Sequence, residues 1–515
     1  MSADCHLIGI GGSGSKCIDN YIYLCAAGLA PENLSLGIVD QDAPNGNVGK
    51  AKRNITNYQN LYRKFRSEGQ NNISPESNLF KTKITTNVND VLWTPIEDNV
   101  VPNLKELFEY DKLHDDLKHL MECLYHYNND LELSLKEGFR GRPSIGTAAL
   151  ISQMQENVPF WQNIFDSLDG ALQGKEIRIF LISSIFGGTG AAGFPSIAKL
   201  LRTILHERGI TEKVYIGGSL LLPYFSFPKP DDAEDLAEAA SADAFLQQAR
   251  GALDYYHRMY KKVEVFDELY LTGWDPLIPL NYFESGGNEQ INPPLLPELY
   301  SCLSASRFFT QDDITSINSE DSSSKIFHIC RENANKLTWS DLPSINDNLN
   351  EVKDLLAQFT RTSVKFHYDW FKTLTSEWNS GTGDAWYTSL IKSSADLNDT
   401  DNKDLIIKID GFFDSYLQWL SAIINHSKSN VSDEINLIET NQFSTFDSEI
   451  SKVGVALTED LSGSKNFNNL IFNSRGNESE TVFDELSNYK KTKNQSGMGV
   501  FMSALYNACR SIGGN

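Results

Sequence analysis

The sequence lacks the cysteine pattern of a disulfide-rich or zinc-binding protein. Its seven cysteines are spread over 515 residues, none forms a C-x-x-C pair, and no zinc spacing is visible. An odd number of scattered cysteines in a long chain is typical of a reducing compartment. We therefore expect a cytoplasmic protein with no metal site built from its own side chains.

Long hydrophobic runs and an excess of positive charge are also missing. No apolar run reaches the roughly 18 residues of a membrane span, and no basic segment followed by an apolar one precedes the first strand, so we expect no span and no signal peptide. The 45 Lys and Arg residues are outnumbered by 68 Asp and Glu residues, which gives a net charge of −23. This balance argues against binding of a nucleic-acid backbone.

What the sequence does contain is a glycine-rich turn between a strand and a helix in its middle third. An apolar run at residues 177–185 is followed by FGGTGAAG at 186–193, and helical spacing resumes after Pro195. Glycine lets the backbone approach a ligand closely, and the N–H groups at a helix start favour an anion. One such loop is equally consistent with a tight turn that binds nothing.

A second turn of the same design lies at the beginning of the chain. An apolar strand at residues 6–10 overlaps GIGGSGS at 9–15, and a helical pattern runs from 15 to 27. Two such loops favour a shared phosphate site, so the candidate nucleotide-binding residues are Gly11, Gly12, Ser13, Gly14, Gly187, Gly188, Thr189 and Gly190.

Two polar residues in other segments are further candidates. Asp40 follows the predicted strand at 34–39, where a dinucleotide-binding fold places its ribose-binding acid. Arg142 lies in GFRGRPSIGTAA at 138–149, where an arginine fork could reach a phosphate or could be solvated on a turn.

These motifs also bear on two other classes of nucleotide-binding protein. A P-loop ATPase is disfavoured, because residues 14–17, GSKC, lack the Gly-Lys-Ser/Thr ending that its mechanism needs. A Rossmann-type NAD or FAD enzyme would explain the loop at 9–14 and Asp40. It would leave the second glycine loop unexplained, and no catalytic constellation accompanies it.

The order of the motifs resembles the tubulin/FtsZ superfamily, in particular its divergent bacterial tubulin-like proteins. Residues 9–14 match a G-x-G-G-x-G loop, and DQDA at 40–43 is similar to an N-T-D-A run. Residues 141–149 resemble G-x-N-P-x-x-G-x-x-A-A with one residue fewer in two places. Residues 187–190 and Pro195 fit the signature G-G-G-T-G-[ST]-G followed by proline.

This resemblance, which covers roughly residues 5–310, implies an architecture and an activity. It implies an α/β, Rossmann-like GTPase domain with a parallel sheet over residues 1–310, an insertion at about 45–137, and a mostly helical C-terminal domain over 311–515 that could bind protein partners. The implied cofactors are GTP or GDP and Mg2+, held between phosphate oxygens through water. The implied partner is a second copy, assembled head to tail into filaments or rings.

The departures from the family pattern concern hydrolysis and base recognition. Phe186, Ala191 and Ala192 replace two glycines and a hydroxyl residue of the signature. The acidic N-x-D-x-x-D motif is reduced to Gln311-Asp312-Asp313 and Glu320-Asp321, so Asp312 or Asp313 of a neighbouring subunit is the candidate for orienting the attacking water. A scaffold that binds nucleotide without hydrolysing it therefore stays open. By the same resemblance Asn292, near the start of the central helix, could contact the base or simply cap the helix.

Overall fold

The structure is a computed structural model that describes most of the chain. The described residues are 3–67, 71–96, 103–135, 138–139, 142–154, 158–226, 242–260, 264–280, 291–314, 323–331, 343, 349–371, 374, 390–391, 394–396, 399–427, 443–445, 455–457 and 476–511. The predicted Glu320-Asp321 pair lies outside them. Across these ranges, no helix combines the length and hydrophobicity needed to cross a lipid bilayer.

Twelve strands are found in the described part of the chain, and eight of them form one parallel sheet. In chain order they are β1 (Asp4–Ile10), β2 (Asn33–Val39), β3 (Lys83–Ile84), β4 (Leu92–Trp93), β5 (Ile177–Ser184), β6 (Val214–Leu221), β7 (Phe225–Ser226), β8 (Glu268–Trp274), β9 (Ile278–Pro279), β10 (Lys325–Arg331), β11 (Phe443–Thr445) and β12 (Val455–Leu457). The sheet order is β10-β8-β6-β5-β1-β2-β3, with β4 also beside β2, while β7 pairs with β9 and β11 with β12.

Thirteen α-helices lie between and after these strands in the same ranges. They are α1 (Gly11–Ala27), α2 (Gly46–Tyr62), α3 (Leu104–Leu107), α4 (Asp115–Leu124), α5 (Pro143–Gln153), α6 (Pro159–Ala171), α7 (Gly188–Arg208), α8 (Ala242–Tyr260), α9 (Leu296–Thr310), α10 (Leu349–Lys365), α11 (Thr400–Ser427), α12 (Ser479–Asn488) and α13 (Met498–Ala508). The first helix begins at Gly11 rather than at residue 15, so the first glycine loop forms its first turn.

The centre of the sheet is buried on both faces. All eight residues of β5 and six of the seven in β1 are buried, which is why these strands are almost continuously apolar. The strand order reverses direction between β1 and β5, because the chain leaves β1 towards β2 and leaves β5 towards β6. This is the Rossmann arrangement, in which ligands bind at the carboxyl ends of the strands flanking the reversal. The predicted α/β fold class is confirmed.

Much of the predicted insertion at 45–137 belongs to the sheet domain. Helix α2 packs on α1, and β3 and β4 extend the sheet on the far side of β2. The Tyr58 hydroxyl on α2 donates a hydrogen bond to the Thr82 carbonyl over 2.7 Å, just before β3. This buried contact fixes the helix against the added edge strand.

Removing that hydroxyl tests this arrangement. We expect Tyr58→Phe to lower the free energy of unfolding by about 1 kcal/mol, because the buried Thr82 carbonyl loses its donor while the ring still packs. Chemical denaturation measures the change. Tyr62→Phe, one turn further along α2, is the matched control and should change the free energy of unfolding by less than about 0.5 kcal/mol. Equal effects of the two substitutions would contradict the assignment.

The residues after α9 contribute both a strand and a helical layer. β10 pairs in parallel with β8, so the chain beyond residue 310 returns to the sheet. Helices α10 and α11 then pack on α1 and α2. The ring of Tyr23 on α1 lies 5.7 Å from the ring of Phe412 and 5.1 Å from that of Trp419. The C-terminal region is mostly helical, as predicted, while a domain boundary at 310 stays a prediction.

Candidate functional site

The two glycine loops lie side by side at the carboxyl edge of the sheet. β1 and β5 pair in register with Ile10 opposite Ser183, so the chains that leave them start from the same place. The Ser183 hydroxyl donates to the Ile10 carbonyl over 3.1 Å. A Cβ added to Gly11 would lie 3.1 Å from the Gly190 nitrogen. The loops at residues 9–14 and 187–190, far apart in the chain, therefore lie in contact with each other.

Glycine is required where the two loops approach each other. Gly11 has a φ of +74°, a conformation that side chains with a Cβ rarely adopt. A Cβ on Gly190 would lie 2.5 Å from the Ser183 hydroxyl oxygen and 2.8 Å from the Ser184 carbonyl oxygen. The close approach of the loops thus depends on the absence of side chains at these positions.

The beginnings of α1 and α7 both present backbone N–H groups without competition from side chains. Neither helix has a side-chain cap hydrogen bond or an acidic residue in its first turn. Gly12, Ser13 and Gly188 are half-buried, so this side of the loops is open to a ligand. Two helix starts that lie side by side favour a polyanion.

Asp40 lies at the second loop rather than away from it. The Thr189 hydroxyl donates to Oδ1 of Asp40 over 3.3 Å, and Asp40 Oδ2 is buried without a hydrogen-bond partner in the described part of the chain. Burial and the nearby charge of Asp42 raise the pKa of Asp40 to about 7. The carboxylate is therefore poised to accept a cation or a donor that balances its charge.

Asparagine side chains from distant segments meet at the first loop. Asn45 caps α2 by accepting from the Asn47 backbone N–H over 2.9 Å, and the Asn292 N–H donates to the Asn47 side chain over 3.2 Å. A Cβ on Gly12 would lie 3.7 Å from the Asn45 amide nitrogen. The predicted residue Asn292 thus contacts the Asn47 side chain, which itself lies beside Gly12 of the first loop. A narrow hollow here is lined by Lys16, Asp19, Asn20, Asn47, Lys50, Asn292 and Pro294.

Residues 7–262, which include both loops and Asp40, match a family model described as "Tubulin like". This part of the chain, residues 7–262, belongs to the tubulin/FtsZ superfamily. No curated protein matches this tubulin-like chain.

Several solved structures are similar to the tubulin-like chain at low identity. CetZ1 from Haloferax volcanii, a GDP-bound monomer, is 13% identical with a TM-score of 0.25, and the match covers 53% of this chain and 50% of that one. CetZ from Methanosaeta thermophila strain DSM 6194 is 13% identical over 61% and 56%, also with a TM-score of 0.25. CetZ2 from Haloferax volcanii, in a GTPγS-bound protofilament, is 14% identical over 61% and 60%, with a TM-score of 0.25. The chain therefore spans less than two thirds of each of these proteins.

A buried carboxylate that the sequence did not single out connects the first loop to the central helix of this tubulin-like fold. Glu298, in the first turn of α9, lies 2.5 Å from the ammonium of Lys16 on α1. It also accepts from the Tyr224 hydroxyl over 2.7 Å. Lys16 lies 282 residues away from Glu298 in sequence, and a lone glutamate in a helix carries no signal of such a pairing. Sequence reasoning therefore missed Glu298.

Arg142 makes its contacts with the preceding segment of the tubulin-like domain. Its guanidinium donates to the Asn129 carbonyl, and its Nε lies 3.5 Å from Asp130. The helix that it begins, α5, does reach the second loop, because a Cβ on Gly146 would lie 2.7 Å from the Cβ of Ala192. The segment therefore supports the loop, while the Arg142 side chain is engaged elsewhere.

Asp312 and Asp313 lie at the amino ends of the strands, while the glycine loops lie at the carboxyl ends. They are exposed and follow α9. The carbonyls of Phe308, in the last turn of α9, and of Gln311, directly after it, accept hydrogen bonds from Arg178 over 2.9 and 2.7 Å. Arg178 is the second residue of β5, so this is the amino end of the strands. Fifteen helical residues of α9 span about 22 Å. One subunit therefore does not bring these acids to its own loops.

Proposed function

We propose that this chain is a tubulin/FtsZ-like protein that binds GTP or GDP and assembles head to tail with further copies of itself. The observation that carries the proposal is the contact of Gly11 with Gly190, which places two helix starts side by side. Backbone N–H groups of residues 11–14 and 187–190, with the Thr189 hydroxyl, would bind one polyphosphate. The guanine preference comes from the superfamily resemblance.

The residues beside the loops fit a magnesium ion that accompanies the phosphates. Asp40 offers a buried oxygen without a partner among the described residues, and Asp42 lies two residues further on. Within the same ranges no cluster of three metal-ligating side chains occurs. Mg2+ typically keeps several waters and uses one or two carboxylates plus substrate phosphates. Bound there, it would neutralise phosphate charge, and Asp40 and Asp42 would hold its waters.

The position of Asp40 favours this site over a dinucleotide site. In a Rossmann dehydrogenase the acid after the second strand binds the ribose hydroxyls. Here Asp40 Oδ1 accepts from Thr189, in the second glycine loop. We expect calorimetry to show GDP binding at least about a hundredfold tighter than NAD. Tighter binding of NAD than of GDP would reverse the choice.

Hydrolysis, if it follows binding, requires a second subunit. Asp312 and Asp313 lie at the amino edge of the sheet and the loops at the carboxyl edge, so a head-to-tail contact would bring the acids of one copy to the nucleotide of the next. Such heterologous contacts build filaments or rings. We expect the GTPase rate per subunit to rise steeply with protein concentration. A rate per subunit that stays constant would contradict a shared site.

Mixing two inactive variants makes the test sharper. An Asp312→Ala/Asp313→Ala variant keeps the loops but supplies no acid, while a Gly12→Asp variant keeps the acids but places a negative charge at the phosphates. We expect a mixture of the two to hydrolyse GTP although neither does so alone, because some interfaces then combine intact loops with intact acids. A mixture as inactive as its components would contradict sharing.

The signature itself favours one second candidate, a scaffold that binds nucleotide without hydrolysis. Ala191 and Ala192 carry no hydroxyl group, and Ala192 is fully buried against α5. GDP and GTP binding together with no phosphate release at any protein concentration would favour this scaffold over the GTPase.

A further inference from the structure

A chain of buried polar contacts connects the C-terminal helix α11 to the start of α9. The indole N–H of Trp419 donates to the Asn20 side-chain oxygen over 2.7 Å. The amide of Asn20 in turn donates to Oε2 of Glu298 over 3.3 Å. All three residues are buried. The carboxylate of Glu298 is thus held on one side by a contact that begins in the C-terminal region.

The other oxygen of Glu298 faces the first glycine loop. Oε1 accepts from the Tyr224 hydroxyl over 2.7 Å and lies 2.5 Å from the Lys16 ammonium. Burial raises the pKa of Tyr224, and the Ser13 side chain, half-buried in that loop, lies close enough to the Tyr224 hydroxyl to lower this pKa in part. Its ring lies 6.0 Å from that of Phe186, directly before the second loop. Tyr224 therefore contacts the surroundings of both loops.

Such a network responds as a unit. The Glu298 carboxylate balances the charge of a buried lysine. If it loses one hydrogen-bond donor, its remaining partners must rearrange. Lys16 also lines the hollow beside Asn47 and Asn292. A phosphate bound at Ser13 would compete with Tyr224 for the Ser13 hydroxyl. It would also compete with Glu298 for the positive charge of Lys16.

We propose that Glu298 is a positioning residue for the first glycine loop, and that Trp419 sets the orientation of its carboxylate through Asn20. The inference rests on the proposed nucleotide site and adds to it a connection to the C-terminal region. Because coupling between two sites is reciprocal, nucleotide binding changes the surroundings of Trp419, and loss of the Trp419 N–H changes nucleotide affinity.

The first test removes only the donor at the far end of the network. Trp419→Phe keeps an aromatic ring in the packed layer but deletes the N–H, and we expect its Kd for GDP by calorimetry to rise about fivefold, the effect of one hydrogen bond. Trp161→Phe is the matched control, because Trp161 is equally buried and its N–H has no partner among the described residues. Its Kd for GDP should stay within about twofold of wild type.

The second test is spectroscopic and is insensitive to a general loss of stability. We expect GDP to change the indole emission of the wild-type chain and of Trp161→Phe, and this change to be absent in Trp419→Phe. The emission change should also be lost in Tyr224→Phe at saturating GDP. That variant keeps Trp419 but lacks the hydroxyl group that lies between Ser13 and Glu298.

The outcomes separate this inference from the function on which it rests. A Trp419→Phe variant with wild-type GDP affinity and a wild-type emission change would overturn the inference alone. A wild-type chain that binds no GDP would overturn the proposed function and the inference with it. Loss of both signals in Trp419→Phe, with both retained in Trp161→Phe, supports the connection.

Discussion

Replacement of Gly12 by aspartate should lower the affinity for GDP by at least about a hundredfold, while the chain remains folded. At an effective dielectric constant of about 20, two like unit charges 4 Å apart repel by about 4 kcal/mol. This exceeds the roughly 2.7 kcal/mol that corresponds to a hundredfold change in affinity. The position tolerates a side chain, since a Cβ on Gly12 would meet its nearest atoms at 3.7 and 3.9 Å. An acid at a helix N-terminus also stabilises the helix.

The matched control keeps the shape and removes the charge. Gly12→Asn places an uncharged side chain of the same size at the start of α1, and we expect it to lose less than about tenfold in GDP affinity. Calorimetry measures both affinities, and thermal unfolding without nucleotide confirms that both variants are folded. A Gly12→Asp variant that binds GDP as wild type does would contradict the assignment of this helix start to the phosphates.

Asp40→Asn should stabilise the nucleotide-free chain at pH 8 by up to about 4 kcal/mol and weaken its binding of GTP with Mg2+. The pKa of Asp40 is raised to about 7 from 3.8 by burial and by Asp42, so the folded state holds a proton that the unfolded chain releases. The free energy of unfolding therefore falls as pH rises from about 4 to about 7, and the full penalty is present above pH 7. The uncharged amide removes this penalty.

The pH dependence distinguishes this effect from ordinary repacking. We expect the gain in unfolding free energy of Asp40→Asn to be small near pH 4, to grow up to about pH 7 and to level off above it. Asp166→Asn, an exposed residue on α6, is the control and should change the free energy of unfolding by less than about 0.5 kcal/mol at any of these pH values. An Asp40→Asn variant less stable than wild type at pH 8 would contradict a buried charge at this position.

The parts of the fold set by local patterns could be predicted, and the short or distant pairings could not. The apolar runs of β1 and β5 and the glycines that follow them are visible in the sequence. β3 and β4 have two residues each and lie in a polar stretch, so they have no periodicity to detect. β10 lies beyond the predicted boundary at 310 and is recognised only by its pairing with β8. The predicted start of α1 at residue 15 is four residues late, because the helix begins at Gly11 with a positive φ.

The same distinction applies to the site. The glycines at 11–14 and 187–190 could be assigned to a phosphate site because each loop carries its own signal. The contact of Thr189 with Asp40 joins residues 149 positions apart, and it places the acid at the second glycine loop. The contacts of Arg142 with Asn129 and Asp130 could not be foreseen, because the sequence shows an arginine on a turn but not its partners.

The most direct measurement is an experimental structure of the chain with GDP bound. We expect the β-phosphate oxygens to lie within hydrogen-bonding distance of backbone N–H groups from both residues 12–14 and residues 188–190. Density for the phosphates against one loop alone, or at another part of the chain, would contradict a site shared by the two loops.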